Sequence, residues 1–467
     1  MSDTNSDTKQ LKKLRLFDVL CLSFAATYSI ELVASHAAIG PQTIFYLAVL
    51  GTVYVLVHGM ISAELGSTYP SQGGSYVWVK KAFGDRWAAR VTWWGWSNTV
   101  SFVPSVFVVC VIILMSIFEL DLSAMDIALI SIVGTWIVVI INCFTLEESK
   151  IVTNIGSALK VVVIVALVGG AIWYVAGNGF ANDITFETIM PTSDIGIFGL
   201  IGTFVYGLTG LDIISCNAGN MANPRRDIPV TVIAVGISCI LLYLISSIAV
   251  MAVLPLEVID VSAGMIDALV AIYGFSKLAV IILGLILIIV FISYTFSWTI
   301  GGNVMAQVAA EDGEMPAVFG YSSKKGAPVG AAILMGIGST ALLIFYGLTS
   351  GSGDELFWML LAFTSVTFFF PYFLIAFALP KLRKSDPTTP RPFKIPGKIF
   401  PYVIIAIDLL LLAIGLVSFL IPPEGDTFVS YTVFIFVCIV VMQALGEFLI
   451  SYAVKKSRQK QIESAQS

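Results

Sequence analysis

Two short stretches decide how this chain reads: Tyr206-Gly207-Leu208-Thr209-Gly210-Leu211-Asp212 and Thr27-Tyr28-Ser29-Ile30-Glu31. Each sets a carboxylate inside a long apolar run, and each interrupts that run with residues that serve a continuous helix badly. Gly207 and Gly210 punctuate the first, and a polar notch from Thr27 to Ser29 opens the second. A charged side chain at a helix centre in a bilayer costs at least ~2.5 kcal/mol on insertion scales, so an acid kept there marks a candidate functional site. Interrupted segments at corresponding places in two halves of a chain point to a small-molecule site near the bilayer midplane.

The surroundings of these stretches fix the class. Of 467 residues, 58% are hydrophobic and 12% charged, and the mean hydropathy is +0.94. No soluble domain of this size could bury that much apolar surface in one core. Apolar runs of spanning length fall at about 14–39, 42–66, 88–118, 124–144, 151–176, 194–216, 230–254, 278–306, 329–349, 355–379, 401–421 and 428–454. The expectation is an all-α membrane protein with twelve transmembrane helices. The first run follows a polar, charged leader rather than a short apolar core with a cleavage site, so it does not read as a removable signal peptide.

Basic residues cluster at Lys9 to Arg15, Lys80 to Arg90, Lys150, Arg225 and Arg226, Lys324 and Lys325, Lys381 to Lys398, and Lys455 to Lys460. With twelve spans these stretches share one side, which the positive-inside rule makes the cytoplasm, with both termini there. The opposite loops are acidic: Glu119 and Asp121, Asp183 and Glu187, Glu257 and Asp260, Asp354 and Glu355, Glu424 and Asp426. The formal charge of −5 therefore sums two unlike faces. All six cysteines (Cys21, Cys110, Cys143, Cys216, Cys239, Cys438) lie in apolar runs without metal-type spacing and read as small buried packing residues. No cofactor, metal or nucleic-acid partner is implied.

No polar stretch is long enough for a separate soluble domain, so 1–467 reads as one multi-pass domain. Matching the notch in run one to that in run six implies a five-plus-five inverted repeat with discontinuous helices 1 and 6. The first repeat covers about 14–176 and the second about 194–379, with accessory helices at about 401–454. The match is one of position rather than of similarity between the halves. Ser75 to Val79, and the stretch from Val308 to Phe319, suggest interfacial helices at the basic face.

Four motifs carry a family resemblance. Ala63-Glu64-Leu65-Gly66-Ser67-Thr68-Tyr69-Pro70-Ser71-Gln72-Gly73-Gly74-Ser75-Tyr76-Val77-Trp78-Val79, followed by Phe83-Gly84, is the first. The others are Asn220-Met221-Ala222-Asn223-Pro224-Arg225-Arg226-Asp227-Ile228-Pro229, then Ser297-Trp298-Thr299-Ile300-Gly301 with Ala309 to Pro316, and Arg391-Pro392-Phe393-Lys394-Ile395-Pro396-Gly397. In this order they resemble the amino-acid/polyamine/organocation superfamily of transporters. Asp85-Arg86-Trp87, Ser262-Ala263-Gly264-Met265 and Ile421-Pro422-Pro423 are most similar to its glutamate/GABA-antiporter branch. The resemblance implies exchange of an amino acid for its decarboxylation product. The chain departs from the family in four places. Thr27-Tyr28-Ser29 replaces a glycine-rich notch, Glu31 stands where the glutamate exchangers carry an uncharged residue, Asn220 replaces the usual acid, and Val304 replaces a basic residue common in the acidic-substrate branch.

An acid at Glu31 repels the side-chain carboxylate of glutamate and attracts an amine or guanidinium; the plainer alternative is that it solvates a water-filled vestibule. Asp212 resembles the superfamily's acid in segment six, holding a substrate amine or a coupling proton, or else packs helices through hydroxyl partners. Lys160 resembles the segment-five lysine that serves sodium-independent relatives as a built-in cation. Ten residues from Lys150, or ~15 Å of helix, is too deep for easy snorkelling. Trp298 resembles the tryptophan with which arginine/agmatine exchangers stack a guanidinium, an attraction of up to ~2 kcal/mol when dry. Tyr206 resembles the aromatic gate. Without the family, either ring reads as packing in a chain that is 12% aromatic.

Thr27, Tyr28, Ser29, Asn98, Gly207 and Gly210 complete the expected substrate-binding set. His36 and His58 receive no role, Glu64 reads as structural, and Asp408 and Glu447 read as contacts of a possible homo-oligomer. A membrane enzyme would need a nucleophile or metal cluster, which two histidines and scattered cysteines do not supply. The leading expectation is a plasma-membrane antiporter for a cationic precursor and its product, agmatine for putrescine being favoured. Glutamate-for-GABA exchange and a non-transporting nutrient receptor are the alternatives.

Overall fold

The computed structural model describes residues 15, 16, 19, 20, 23, 27–71, 74–144, 149–192, 195–216, 218, 221–422 and 428–466. Lys9, Lys12, Lys13, Cys21, Gln72, Gly73, Asn220, Pro423, Glu424 and Asp426, and the side chains of Lys150, Cys216 and Lys460, lie outside the described residues.

Every regular element among the described residues is helical. After the helical residues Leu16, Val19, Leu20, Ser23 and Thr27 the chain runs through α1 (Leu32–Ala37), α2 (Gln42–Thr68), α3 (Ser75–Phe83), α4 (Asp85–Phe118), α5 (Ala124–Phe144) and α6 (Ser149–Asn178). It continues through α7 (Phe186–Ile189), α8 (Ile195–Gly207), α9 (Ile213–Cys216), α10 (Pro224–Val253), α11 (Gly264–Tyr273) and α12 (Lys277–Glu311). The last four are α13 (Val329–Thr349), α14 (Gly353–Ser385), α15 (Phe400–Ser418) and α16 (Phe428–Gln466).

Ten helices among the described residues are long and apolar enough to cross a membrane, and they coincide with ten of the twelve apolar runs. The two without an uninterrupted helix of that kind are runs one and six, which carry the buried acids. Local sequence explains many helix ends. The Ser352 hydroxyl caps α14 by accepting from the Glu355 N–H at 3.2 Å, with Asp354 and Glu355 in its first turn and Arg383 and Lys384 in its last, as the helix dipole favours. Gly74 and Gly84, at φ 45° and 89°, bracket α3 with backbone that other residues adopt at a cost.

The centre of the molecule is the pairing of α4 with α14 and α12. In α4, 83% of the most apolar window is buried within the protein, against 28% in α16. Peripheral helices instead present Ile172, Val165, Leu348 and Phe448 outward. Apolar exposure on that scale has no place on a monomer in water and suits a hydrocarbon solvent.

Two sequence expectations are corrected. The α3 segment does not lie wholly on the surface, since Trp78 and Val79 are fully buried where α3 packs on α4 and α14. Val308 belongs to the end of the long α12, and only Ala317–Gly320 forms a separate short 3-10 turn. Glu447 binds Arg86 and Arg90, while Trp94 Nε1 donates to Gln443 Oε1 at 2.6 Å, tying α16 to α4 within one chain. Asp408 is fully buried, 3.2 Å from Nδ1 of His58. Cys110 and Cys239 are buried, whereas Cys143 and Cys438 are half-buried.

Glu64 is the clamp of the basic end. Its fully buried carboxylate accepts from both Nε and Nη2 of Arg383, from Nη1 of Arg391 at 3.3 Å and from the Ile395 N–H at 2.8 Å. It thereby holds α2 against the end of α14 and the loop that follows. Removing one partner of a buried charge cluster strands the others, at ~3–5 kcal/mol. Glu64→Ala is therefore expected to lower stability by about that amount, read as a depressed unfolding transition of the detergent-solubilised protein; an unchanged transition would refute the clamp.

Candidate functional site at the two helix breaks

The site follows from a constraint on the backbone. In a hydrocarbon environment an unpaired N–H or C=O costs several kcal/mol, so a helix can break only where other groups take over its hydrogen bonds. The first run leaves the helix after Thr27 and resumes at Leu32, and the sixth leaves it after Gly207 and resumes at Ile213. Side chains from other helices supply the missing partners.

Lys160 of α6, itself buried, donates from Nζ to the Tyr28 carbonyl at 2.8 Å. Its ammonium also sits 4.6 Å from the centre of the Tyr294 ring and 5.8 Å from that of Tyr28, within cation–π range. The Tyr243 hydroxyl of α10 spans both breaks, accepting from the Ser29 N–H at 2.9 Å and donating to the Gly207 carbonyl at 3.2 Å. On the far side of the sixth run, the Tyr372 hydroxyl of α14 accepts from the Gly210 N–H at 2.8 Å and donates to Asp212 Oδ1 at 3.1 Å.

The glycines are required by this arrangement. Gly210 has φ 90°, left-handed backbone that a side chain resists. A Cβ on Gly207 would stand 3.0 Å from Leu32 and 3.1 Å from the Tyr243 hydroxyl, pushing apart the two breaks that Tyr243 joins.

Between the breaks lies a cavity of about 20 Å³, lined by Thr27, Ser29, Asn98, Phe102, Tyr206, Thr209, Tyr294, Trp298 and Phe368. That is room for about one water molecule. Trp298 meets Phe368 edge-on at 5.8 Å, and Phe102 and Tyr294 close its other sides. Ser29 Oγ and the Tyr294 hydroxyl share a 2.6 Å hydrogen bond, and Asn98 donates to the Thr364 carbonyl at 3.0 Å. A wider cleft of about 620 Å³ opens at the basic end beside Lys381, Arg383 and Lys384, and contains no residue of the breaks.

Of the expected substrate set, Thr27, Ser29, Asn98, Tyr206 and Trp298 line the cavity. Tyr28 faces away from it and donates to Ser246 at 3.1 Å. Gly207, Gly210 and Lys160 shape the breaks without lining the space. The two acids are both buried but differ in their surroundings. Asp212 receives the Tyr372 hydroxyl. Glu31, 6% exposed at the start of α1, makes no ion pair among the described residues, and its nearest hydrogen-bonding groups are the Ser29 side chain and its own backbone. It lies within electrostatic reach of Lys160 and of the cavity-lining Tyr206 and Tyr294.

Phe102, Thr209, Tyr294 and Phe368 of the lining, and the bridging Tyr243 and Tyr372, were not among the residues singled out from sequence. The only signal of these tyrosines was a polar tip within an apolar run, which most of the sixteen tyrosines share, and the phenylalanines carried none. His36, stacked on Phe204 at 4.5 Å, stands behind the breaks rather than in the cavity.

The family model for amino acid permeases matches residues 14–444. The chain is 31% identical over 411 residues, 86% of its length and 87% of the relative's, to a protein of Lactococcus lactis subsp. lactis described as a probable agmatine/putrescine antiporter. It is 25% identical over 458 residues to an uncharacterized transporter of Legionella pneumophila, covering 97% of this chain and 98% of that one. With a glutamate/gamma-aminobutyrate antiporter of Lactococcus lactis subsp. cremoris it shares 24% identity over 434 residues, 89% and 85% of the two chains. A multi-pass membrane protein whose relatives are transporters and not enzymes, the chain belongs to the amino acid permease family.

Proposed function

We propose that this protein is an amine antiporter that takes up a cationic precursor in exchange for its more reduced-length product, with agmatine for putrescine as the favoured pair. The observation that carries this reading is Glu31, a buried carboxylate at the end of the first break with no cationic side chain bonded to it among the described residues. A buried acid without a bonded counter-ion favours an incoming cation and disfavours an incoming carboxylate. Trp298, Tyr206 and Tyr294 add ring faces on which a guanidinium or ammonium gains up to ~2 kcal/mol. The resemblance to the probable agmatine/putrescine antiporter points the same way. Both cations are divalent near neutral pH, so one-for-one exchange moves no net charge against a potential worth ~2.3 kcal/mol per charge per 100 mV.

In this reading the chain works as one unit of twelve spans, with a five-plus-five inverted repeat over about 14–176 and 194–379 and accessory helices over about 401–454. Both termini face the cytoplasm of the cell that carries it in its plasma membrane, as the run of basic loops on one side suggests. The cavity is closed around a volume of one water, so cargo enters only as the aromatic lining parts. Lys160 supplies the positive charge that holds the first break open at the Tyr28 carbonyl. Similarity to the glutamate/gamma-aminobutyrate antiporter favours acidic exchange as the second reading, which Glu31 opposes.

Counterflow in proteoliposomes separates these. Vesicles preloaded with putrescine are expected to accumulate labelled agmatine, and vesicles preloaded with glutamate are not. Accumulation driven by glutamate alone would install the acidic reading, and binding without any exchange would make the protein a receptor. Glu31→Gln is expected to reduce kcat/KM for the cation at least about tenfold, which is 1.4 kcal/mol; full activity would remove Glu31 from selection. Lys160→Ala, which leaves the Tyr28 carbonyl without its ammonium, is expected to abolish rapid exchange in sodium-free buffer, and rapid sodium-free exchange by that variant would sink the built-in-cation role.

A further inference from the structure

A second group of buried ionisable side chains sits behind the sixth-run break, on the side away from the cavity. His58 of α2 and Asp408 of α15 are both fully buried, with Nδ1 3.2 and 3.3 Å from the two carboxylate oxygens. The other ring nitrogen, Nε2, is buried with no hydrogen-bond partner among the described residues. The imidazole stacks on Tyr54 at 5.3 Å and meets the Tyr372 ring edge-on at 5.0 Å. Tyr372 in turn holds the Gly210 N–H and Asp212.

The groups facing His58 are therefore Asp408 from α15, Tyr372 from α14, Asp212 from the break and Tyr54 from its own helix, and both carboxylates act on it electrostatically. The α10 helix packs on α2 at the adjoining Gly59 through Val232 and Ile233. The α15 helix also lies directly on the first half of the sixth run. A Cβ on Gly202 of α8 would come within 2.8 Å of the Gly415 carbonyl, an approach that only small residues permit.

We propose that His58 and Asp408 form a proton-binding site, separate from the substrate cavity, whose charge state is transmitted through Tyr372 to the helix break at Gly210 and Asp212. With His58 charged, one cation stands between two carboxylates on different elements and holds α15, α2 and the break together. With His58 neutral, the Asp408 and Asp212 charges face each other without compensation in a medium of low dielectric, where like charges repel strongly. The brace that Tyr372 gives the break then weakens, and the site ties the opening of the sixth run to proton occupancy.

The test needs no transport substrate, so a failure of the amine-exchange reading leaves it intact. The chain has two histidines, and the imidazole resonance missing from His58→Gln identifies His58 in spectra of histidine-labelled protein in detergent micelles or nanodiscs. The His58 signal is expected to titrate, with a midpoint displaced by about one unit or more in Asp408→Asn. Hydrogen–deuterium exchange of peptides covering 206–213 is expected to be about fivefold faster or more in Asp408→Asn and His58→Gln than in the wild type at the same pH. A His58 signal that does not titrate, or a midpoint indifferent to Asp408, would overturn the proton site. Unchanged exchange across 206–213 would overturn its coupling to the break. Should His58→Gln fail to fold, the resonance that survives in His36→Gln identifies His58 and the wild-type titration is read from it.

Discussion

Two gaps in helical hydrogen bonding, at 28–31 and 208–212, are the constraint on which the rest of this structure depends. Each frees backbone groups where no water is available to receive them, and each is viable only because tyrosines and a lysine arrive from other helices. The positions of α6, α10 and α14 follow from this demand. Lys160, Tyr243 and Tyr372 must reach the breaks, and the helices bearing them pack accordingly. Tyr243 has the widest reach, since one hydroxyl accepts from the first break and donates to the second and so fixes their separation. A movement of either run has to be felt by the other through that oxygen.

The same tyrosine-rich lining explains why the cavity is closed. The side chains that satisfy the breaks sit beside Phe102, Trp298 and Phe368, which fill the space between them by edge-to-face contact. Such contacts are individually weak, of order 0.5–1.5 kcal/mol, and can be exchanged for contacts with a cation at comparable energy. Hydrogen bonds to the breaks are harder to replace. The aromatic lining is thus the part suited to part for cargo, while the polar frame behind it stays in place.

Much of this was legible in the sequence, and the part that was not has a physical reason. Hydropathy located the spans, because a bilayer demands some twenty apolar residues and leaves little freedom in where they fall. Glycine spacing and misplaced acids located the breaks, because both are costly in a buried helix. What sequence could not supply was pairing between distant spans. His58 and Asp408 are 350 residues apart, each read alone as a satisfied histidine and an oligomer contact, and only the packing of α15 on α2 makes them partners. The partners of Glu447 were hidden on the same ground, since Arg86 and Arg90 lie on a helix far away in the chain. The burial of Trp78 defeated an aromatic-and-basic pattern that would suit a membrane surface equally well.

The two acids that first drew attention are not equivalent, and their difference orders the site. Asp212 is engaged by the Tyr372 hydroxyl, itself tied to the Gly210 amide, so its charge is part of the frame of the sixth break. Glu31 has only the Ser29 side chain and its own backbone for hydrogen bonding, and its charge is answered at a distance by Lys160, whose ammonium is already committed to the Tyr28 carbonyl. A carboxylate whose hydrogen-bonding capacity is spent on the protein has little left for a ligand, whereas one held dry and unspent gains most from a cation that arrives with its own donors. On the exchange proposed above, the selective charge belongs to the first run and the structural charge to the sixth.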